Sequence, residues 1–217
     1  MIKENLIKIL DEIPPNVKLI AISKTKSVKE ILEAYYQGQR LFGENKIQEM
    51  NEKYNLLPKD IKWHMVGHVQ SNKIKYMAPY VDMIHGIDSF KSLAIINKEG
   101  GKNNRIIKCL LQLKISREST KFGLTFKQIE EIIKSDEYQK LTHVKVCGIM
   151  AMASFTNNIK VIKNEFDSTN DLFEKIKKTN TDFNVLSMGM SNDYKLAINC
   201  GSNMVRIGSL IFGSRNY

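Results

Sequence analysis

Short apolar runs alternate with amphipathic stretches along the whole chain. After an opening amphipathic segment, residues 18–23 (KLIAIS) read as a buried strand, and 28–37 follow as a helix ending at Gly38. The same pairing recurs with strands at 40–43, 62–66, 82–85, 105–115, 144–150, 184–186 and 203–206. Helical patterns lie between them at 46–55, 71–77, 89–98, 126–134, 159–177 and 192–199. Such alternation predicts parallel strands joined by right-handed helical crossovers. A count of eight strands favours a closed (β/α)8 barrel of the TIM type over an open sheet, preceded by one extra N-terminal helix. No linker or composition shift divides the chain, so residues 1–217 are expected to form a single α/β domain.

A barrel concentrates functional side chains just after its strands, on the C-terminal face. Several polar residues fall there. Lys24 follows the first strand, Glu44 and Asn45 the second, Ser116 the fifth, and His64 lies near the end of the third. Ser191 and Arg206 stand at or just beyond the last two strands.

The tail LSMGMSNDYKLAINCGSNMVRIGSLIFGSRNY places two loops after consecutive strands. Ser191 is positioned as the N-cap of the helix at 192–199, Gly208 allows close backbone approach, and Ser209 adds a second hydroxyl. Hydroxyls and free backbone N–H groups at such positions bind phosphate, and the loops after barrel strands 7 and 8 commonly do so. Lys24 ends the buried run Leu19 to Ser23, so its amine is expected at the barrel mouth, partly desolvated and able to form a Schiff base with an aldehyde. Lys26 is its rival. A lysine on strand 1 beside a phosphate cup on strand 8 suggests pyridoxal 5′-phosphate, whose aldehyde and phosphate lie at opposite ends of one ring. Arg206 is placed to face the pyridine nitrogen and keep it unprotonated.

The segments AISKTKSVKEI (21–31), GQRLFGENKIQE (38–49), WHMVGHVQSNK (63–73), LSMGMSNDYKLAI (186–198) and GSNMVRIGSLIFGSRNY (201–217) closely resemble the YggS/PROSC family of pyridoxal phosphate homeostasis proteins. These are single-domain relatives of the alanine racemase barrel. The resemblance implies that Lys24 carries the cofactor, that Asn45 lies near its ring, that Arg206 faces its nitrogen, and that Ser191, Gly208 and Ser209 hold its phosphate. Two departures are visible: Ser27 where many members have proline, and Gly67-His68-Val69-Gln70 where they have GPLQ. The family's role is cofactor binding and homeostasis without strong catalysis, with PLP-dependent apo-enzymes as candidate recipients. An amino-acid racemase-like activity is the alternative. Racemases of this fold take a second acid/base tyrosine from a partner's added β-domain, and the chain ends at Tyr217 directly after the eighth unit, so a monomer without that domain is expected. His64 or a loop tyrosine would have to substitute.

Composition narrows the remaining classes. No apolar run approaches the roughly 20 residues of a membrane span, and the acidic, amphipathic N-terminus is no secretory signal. Cys109, Cys147 and Cys200 are widely spaced within apolar runs, as buried thiols of a reducing compartment would be, which points to the cytoplasm. The net charge of +10 raises nucleic acid, but 28 of the 33 basic residues are scattered lysines without a compact, aromatic-interleaved patch. Neither nucleic acid nor membrane is expected as a partner, and no metal site is visible.

Overall fold

In a computed structural model, which describes residues 1–115 and 122–213, eight strands pair in chain order into a closed, all-parallel barrel. The strands are β1 (Lys18–Ile22), β2 (Leu41–Glu44), β3 (Lys62–Met65), β4 (Met83–Ile87), β5 (Ile107–Leu113), β6 (Val144–Ala151), β7 (Val185–Ser187) and β8 (Met204–Ile207). The helices are α1 (Ile2–Glu12), α2 (Val28–Tyr35), α3 (Ile47–Leu56), α4 (Ile74–Met77), α5 (Phe90–Lys102), α6 (Phe126–Lys134), α7 (Asp136–Gln139), α8 (Ile159–Lys177), α9 (Tyr194–Asn199) and α10 (Ser209–Phe212). This is the expected (β/α)8 barrel with its additional N-terminal helix.

The strand period of two sorts the side chains into two cores. Leu19 and Ala21 point outward into the large layer between strands and helices. Ile20, between them, joins Met83, Leu110, Cys147, Met150 and Met204 in a smaller cluster that fills the barrel. All three cysteines are free and buried.

Closure sets β1 beside β8, with Ile20 opposite Arg206 and Ala21 opposite Ile207. Gly208 follows at once, and a Cβ there would come within 3.1 Å of the Ile22 carbonyl oxygen. Glycine thus lets the end of β8 lie against the end of β1, which brings the two termini of the site together. At only four residues, α10 cannot cover its share of the barrel. The extra helix α1 packs against both α10 and α2 and fills that gap, with Asn5 Nδ2 donating to the Ile211 carbonyl at 3.1 Å.

Local expectations differ from the structure at several points, including α7 and α10, which the pattern did not predict. The fifth strand stops at Leu113, short of residue 115. The helix after β7 begins at Tyr194 and is capped at Asp193, so Ser191 is not its N-cap. The Asp193 carboxylate accepts the Met190 N–H at 2.6 Å and organises the turn that contains Ser191. Ser71–Lys73 forms a separate 3-10 turn ahead of the short α4. Ser116 and Tyr217 lie outside the described residues.

Candidate functional site

Lys24 sits one residue past Ser23, where β1 gives way to a turn. That turn is held from below by a buried ionic cluster. Ser23 donates its backbone N–H to the Gly43 carbonyl at 3.0 Å and its hydroxyl to Glu44 Oε1 at 2.6 Å. The Lys53 ammonium, reaching in from α3, donates to the Ser23 carbonyl at 2.8 Å, to Glu44 Oε1 at 2.8 Å and to Glu49 Oε1 at 2.7 Å. Glu49 in turn accepts the Thr25 N–H at 2.6 Å. Burial pushes the Glu44 carboxyl up from its ordinary value, against the opposing pull of the Lys53 ammonium.

Thr25 has φ of 65°, a left-handed conformation that a β-branched residue adopts only under constraint. The Glu49 bond supplies the constraint. Beyond it, Ser27 forms a capping box with Glu30, which fixes the start of α2. The serine that departs from the usual family residue therefore anchors the chain just past Lys24.

Lys24 is half-buried and lines a cavity of about 630 Å³ at the C-terminal mouth of the barrel. Ile22, Arg206, Ser191, Gly208, Ser209 and Asp193 line the same cavity. Ser191, after β7, accepts the Gly208 N–H, after β8, at 3.4 Å, so the two loops meet as one rim.

Arg206 is buried, and three of its bonds hold it in place. One terminal nitrogen donates to the Ser187 carbonyl at 2.8 Å and hydroxyl at 2.7 Å, and the other to the Ala151 carbonyl at 3.0 Å. Burial lowers its pKa to about 10, with the Asp193 carboxylate opposing, so the guanidinium stays cationic at neutral pH. A guanidinium carries five N–H donors, three of which these bonds use, and Arg206 also lines the cavity.

The structure brings Lys24, Ser191, Arg206, Gly208 and Ser209 into one cavity. Asn45 follows β2 and is partly exposed, and it is not among the lining residues. Lys26 also lines the cavity, but its ammonium donates to the Phe212 carbonyl at 2.9 Å and pairs with Glu30 at 3.4 Å. His64 points into the barrel interior, 2.8 Å from His85, and does not line the cavity. His68 pairs with Asp88 at 3.0 Å and stacks on Phe122. Sequence reasoning missed Asp193, the loop from Ala153 to Asn157 after β6, and the buried Ser187 and His85. The tail motif contained Ser187, but its partner His85 is 102 residues away, a contact that only barrel closure creates.

No group of three or more potential metal ligands occurs among the described residues. Nor is any helix among them long and apolar enough to cross a membrane.

Residues 1–216 match the family described as alanine racemase, N-terminal domain. The chain is 40% identical over 207 residues to a pyridoxal phosphate homeostasis protein of Haemophilus influenzae, covering 93% of this chain and 86% of that one. It superimposes on PipY of Synechococcus elongatus, solved with PLP bound, with a TM-score of 0.89 at 31% identity, covering 98% of this chain and all of that one. An alanine racemase of Clostridium difficile superimposes with a TM-score of 0.78 at 12% identity, over 56% of that chain, a likeness of fold alone.

Proposed function

This chain belongs to the family of pyridoxal phosphate homeostasis proteins, and we propose that its cavity holds pyridoxal 5′-phosphate as a carried cofactor. The observation that carries the reading is the shared cavity: a lysine amine, a buried cationic guanidinium and a rim built from Ser191, Gly208 and Ser209. Those are the three partners that an aldehyde, a ring nitrogen and a phosphate require. The residues fit the group, and the relative solved with PLP bound supports the same assignment.

Bound there, the cofactor supplies an aldehyde for covalent attachment and a ring that accepts electrons. Lys24 supplies the attaching amine. The Ser191 and Ser209 hydroxyls and the Gly208 backbone grip the phosphate, whereas Asn45 lies outside the lining. Arg206 presents a permanent cation to the ring nitrogen and so disfavours its protonation. An unprotonated ring withdraws electrons weakly, which suits holding and releasing the cofactor better than strong carbanion chemistry. Lys26 and Asp193, the other ionisable groups of the lining, are tied to the Phe212 carbonyl and the Met190 amide.

The reading extends to the whole chain as one domain acting as a monomer in the cytoplasm, because a closed barrel leaves no sheet edge to pair. PLP-dependent apo-enzymes are the recipients it implies. Equilibrium dialysis against pyridoxal 5′-phosphate and pyridoxal tests the central point. The phosphorylated form binds at least about a hundredfold tighter, given about 1.5–3 kcal/mol per bond to a charged acceptor. Equal affinities would contradict the phosphate rim.

A further inference from the structure

Behind Arg206 a row of buried polar groups crosses the barrel interior. The Ser187 hydroxyl oxygen accepts from Arg206 at 2.7 Å and lies 3.3 Å from His85 Nδ1. His85 Nε2 lies 2.8 Å from His64 Nδ1. His64 Nε2, which has no hydrogen-bond partner of its own, faces the Asp82 carboxylate at 3.7 Å. Asp82 immediately precedes β4, at the opposite mouth of the barrel from Lys24. Ser187, His85 and His64 are all essentially buried, so every one of these groups depends on its neighbours for bonding.

The two ends fix the direction. A guanidinium only donates, so the Ser187 oxygen is an acceptor toward Arg206 and its hydroxyl hydrogen is left for His85 Nδ1. His85 then carries its proton on Nε2 and donates to His64 Nδ1, and His64 carries its proton on Nε2, toward a carboxylate. The reverse order would strand the serine hydrogen and turn a lone pair of His64 toward Asp82. We propose that Ser187, His85 and His64 are positioning residues, a one-way hydrogen-bond relay from Arg206 to His64, with the far end of His64 facing the Asp82 carboxylate, that holds the guanidinium at the ring-nitrogen end of the cavity.

The surroundings agree with two neutral rings. His85 is flanked by Arg206 and His64, and His64 by Asp82, Lys108, Lys18 and Lys62; burial is the largest influence on both and holds them below the usual histidine range. The relay stands on geometry alone, whereas its bearing on the ring nitrogen rests on the function proposed above.

The test has two arms. The first uses the ¹⁵N-labelled full chain without added cofactor, whose four histidines are few enough to assign by long-range ¹H–¹⁵N correlation. His64 and His85 both register as neutral Nε2–H tautomers. Ser187→Ala releases His85 into a tautomer mixture, and Ser187→Thr, which keeps the hydroxyl, restores the single form. An Nδ1–H tautomer at either ring, or no response to Ser187→Ala, overturns the relay. The second arm adds pyridoxal 5′-phosphate and follows the visible band from about pH 6 to 9, around the ordinary histidine range. The unmodified chain keeps one band position, while Ser187→Ala acquires a pH-dependent shift as the ring nitrogen loses its fixed cation. A pH profile unchanged by Ser187→Ala overturns the positioning role. Failure of the unmodified chain to bind pyridoxal 5′-phosphate would instead remove the cofactor reading, and the tautomer arm would still decide the relay.

Discussion

The Lys53 ammonium donates to the carbonyl oxygen of Ser23 at 2.8 Å, so a buried cation on α3 holds the residue before Lys24 from beneath. All three of its protons are used, the others going to Glu44 and Glu49. Sequence neighbours alone do not fix where Lys24 points. The turn is set by a charge cluster assembled from β2 and α3.

Removing that cation leaves Glu44 buried without compensation. Lys53→Met is expected to destabilise the fold by about 3–5 kcal/mol, the usual cost of breaking a buried ion pair from one side. Lys53→Met combined with Glu44→Leu should recover most of the loss, because no unpaired charge remains. Urea denaturation of the single and double variants measures both. A double variant no better than Lys53→Met would show that the cluster acts by shape rather than charge.

Thr25 has a different cost. Its left-handed φ of 65° is unfavourable for a threonine by about 1–2 kcal/mol. Glycine removes that strain but adds about 0.5–1 kcal/mol of backbone entropy to the unfolded chain. Thr25→Gly should therefore leave stability level or raise it by about 1 kcal/mol, while loosening the turn at Lys24 and weakening cofactor retention. Thermal unfolding and dialysis, run together, check the pair of effects. A large loss of stability would show that the threonine side chain holds the turn.

The buried histidines predict acid lability. Burial holds the His64 ring down to about 4 from an ordinary 6.5, and burial likewise holds His85 well below 6.5. The unfolded chain thus binds protons that the folded chain refuses. Stability is fully present above pH 6.5 and is lost as pH falls from there through about 4. One site with the shift of His64 corresponds to roughly 3 kcal/mol. Urea midpoints measured across this range should fall steadily, and more gently in His64→Leu. A flat profile in the unmodified chain would contradict neutral buried rings.

At the phosphate rim, Ser191→Ala with Ser209→Ala should weaken pyridoxal 5′-phosphate binding by about two to four powers of ten if the two losses add. Pyridoxal affinity should change little. Undiminished affinity for the phosphorylated form would assign the grip to backbone N–H groups instead.

The barrel was legible in the sequence because each strand and helix announces itself locally, by period and by the turn after it. The order of closure then places β1 beside β8, which is why Lys24 and Arg206, from opposite ends of the chain, were readable as neighbours at one cavity. Contacts that depend on register across the barrel were not legible. His85 meets Ser187, and Lys53 reaches Ser23, through the geometry of closure and of helix packing, which no local pattern encodes. Ser191 illustrates the middle case. Its place in the rim was readable, but α9 starts later than the pattern suggested, because the Asp193 carboxylate accepts the Met190 amide and closes residues 190–193 into a turn ahead of the helix.

Attachment of the cofactor at Lys24 is the central claim, and borohydride reduction of the loaded protein followed by peptide mapping tests it most directly. The account predicts one pyridoxyl group, on Lys24, with Lys26 unmodified because its ammonium is held by the Phe212 carbonyl and Glu30. A pyridoxyl group on Lys26, or on none of the lysines, would contradict it.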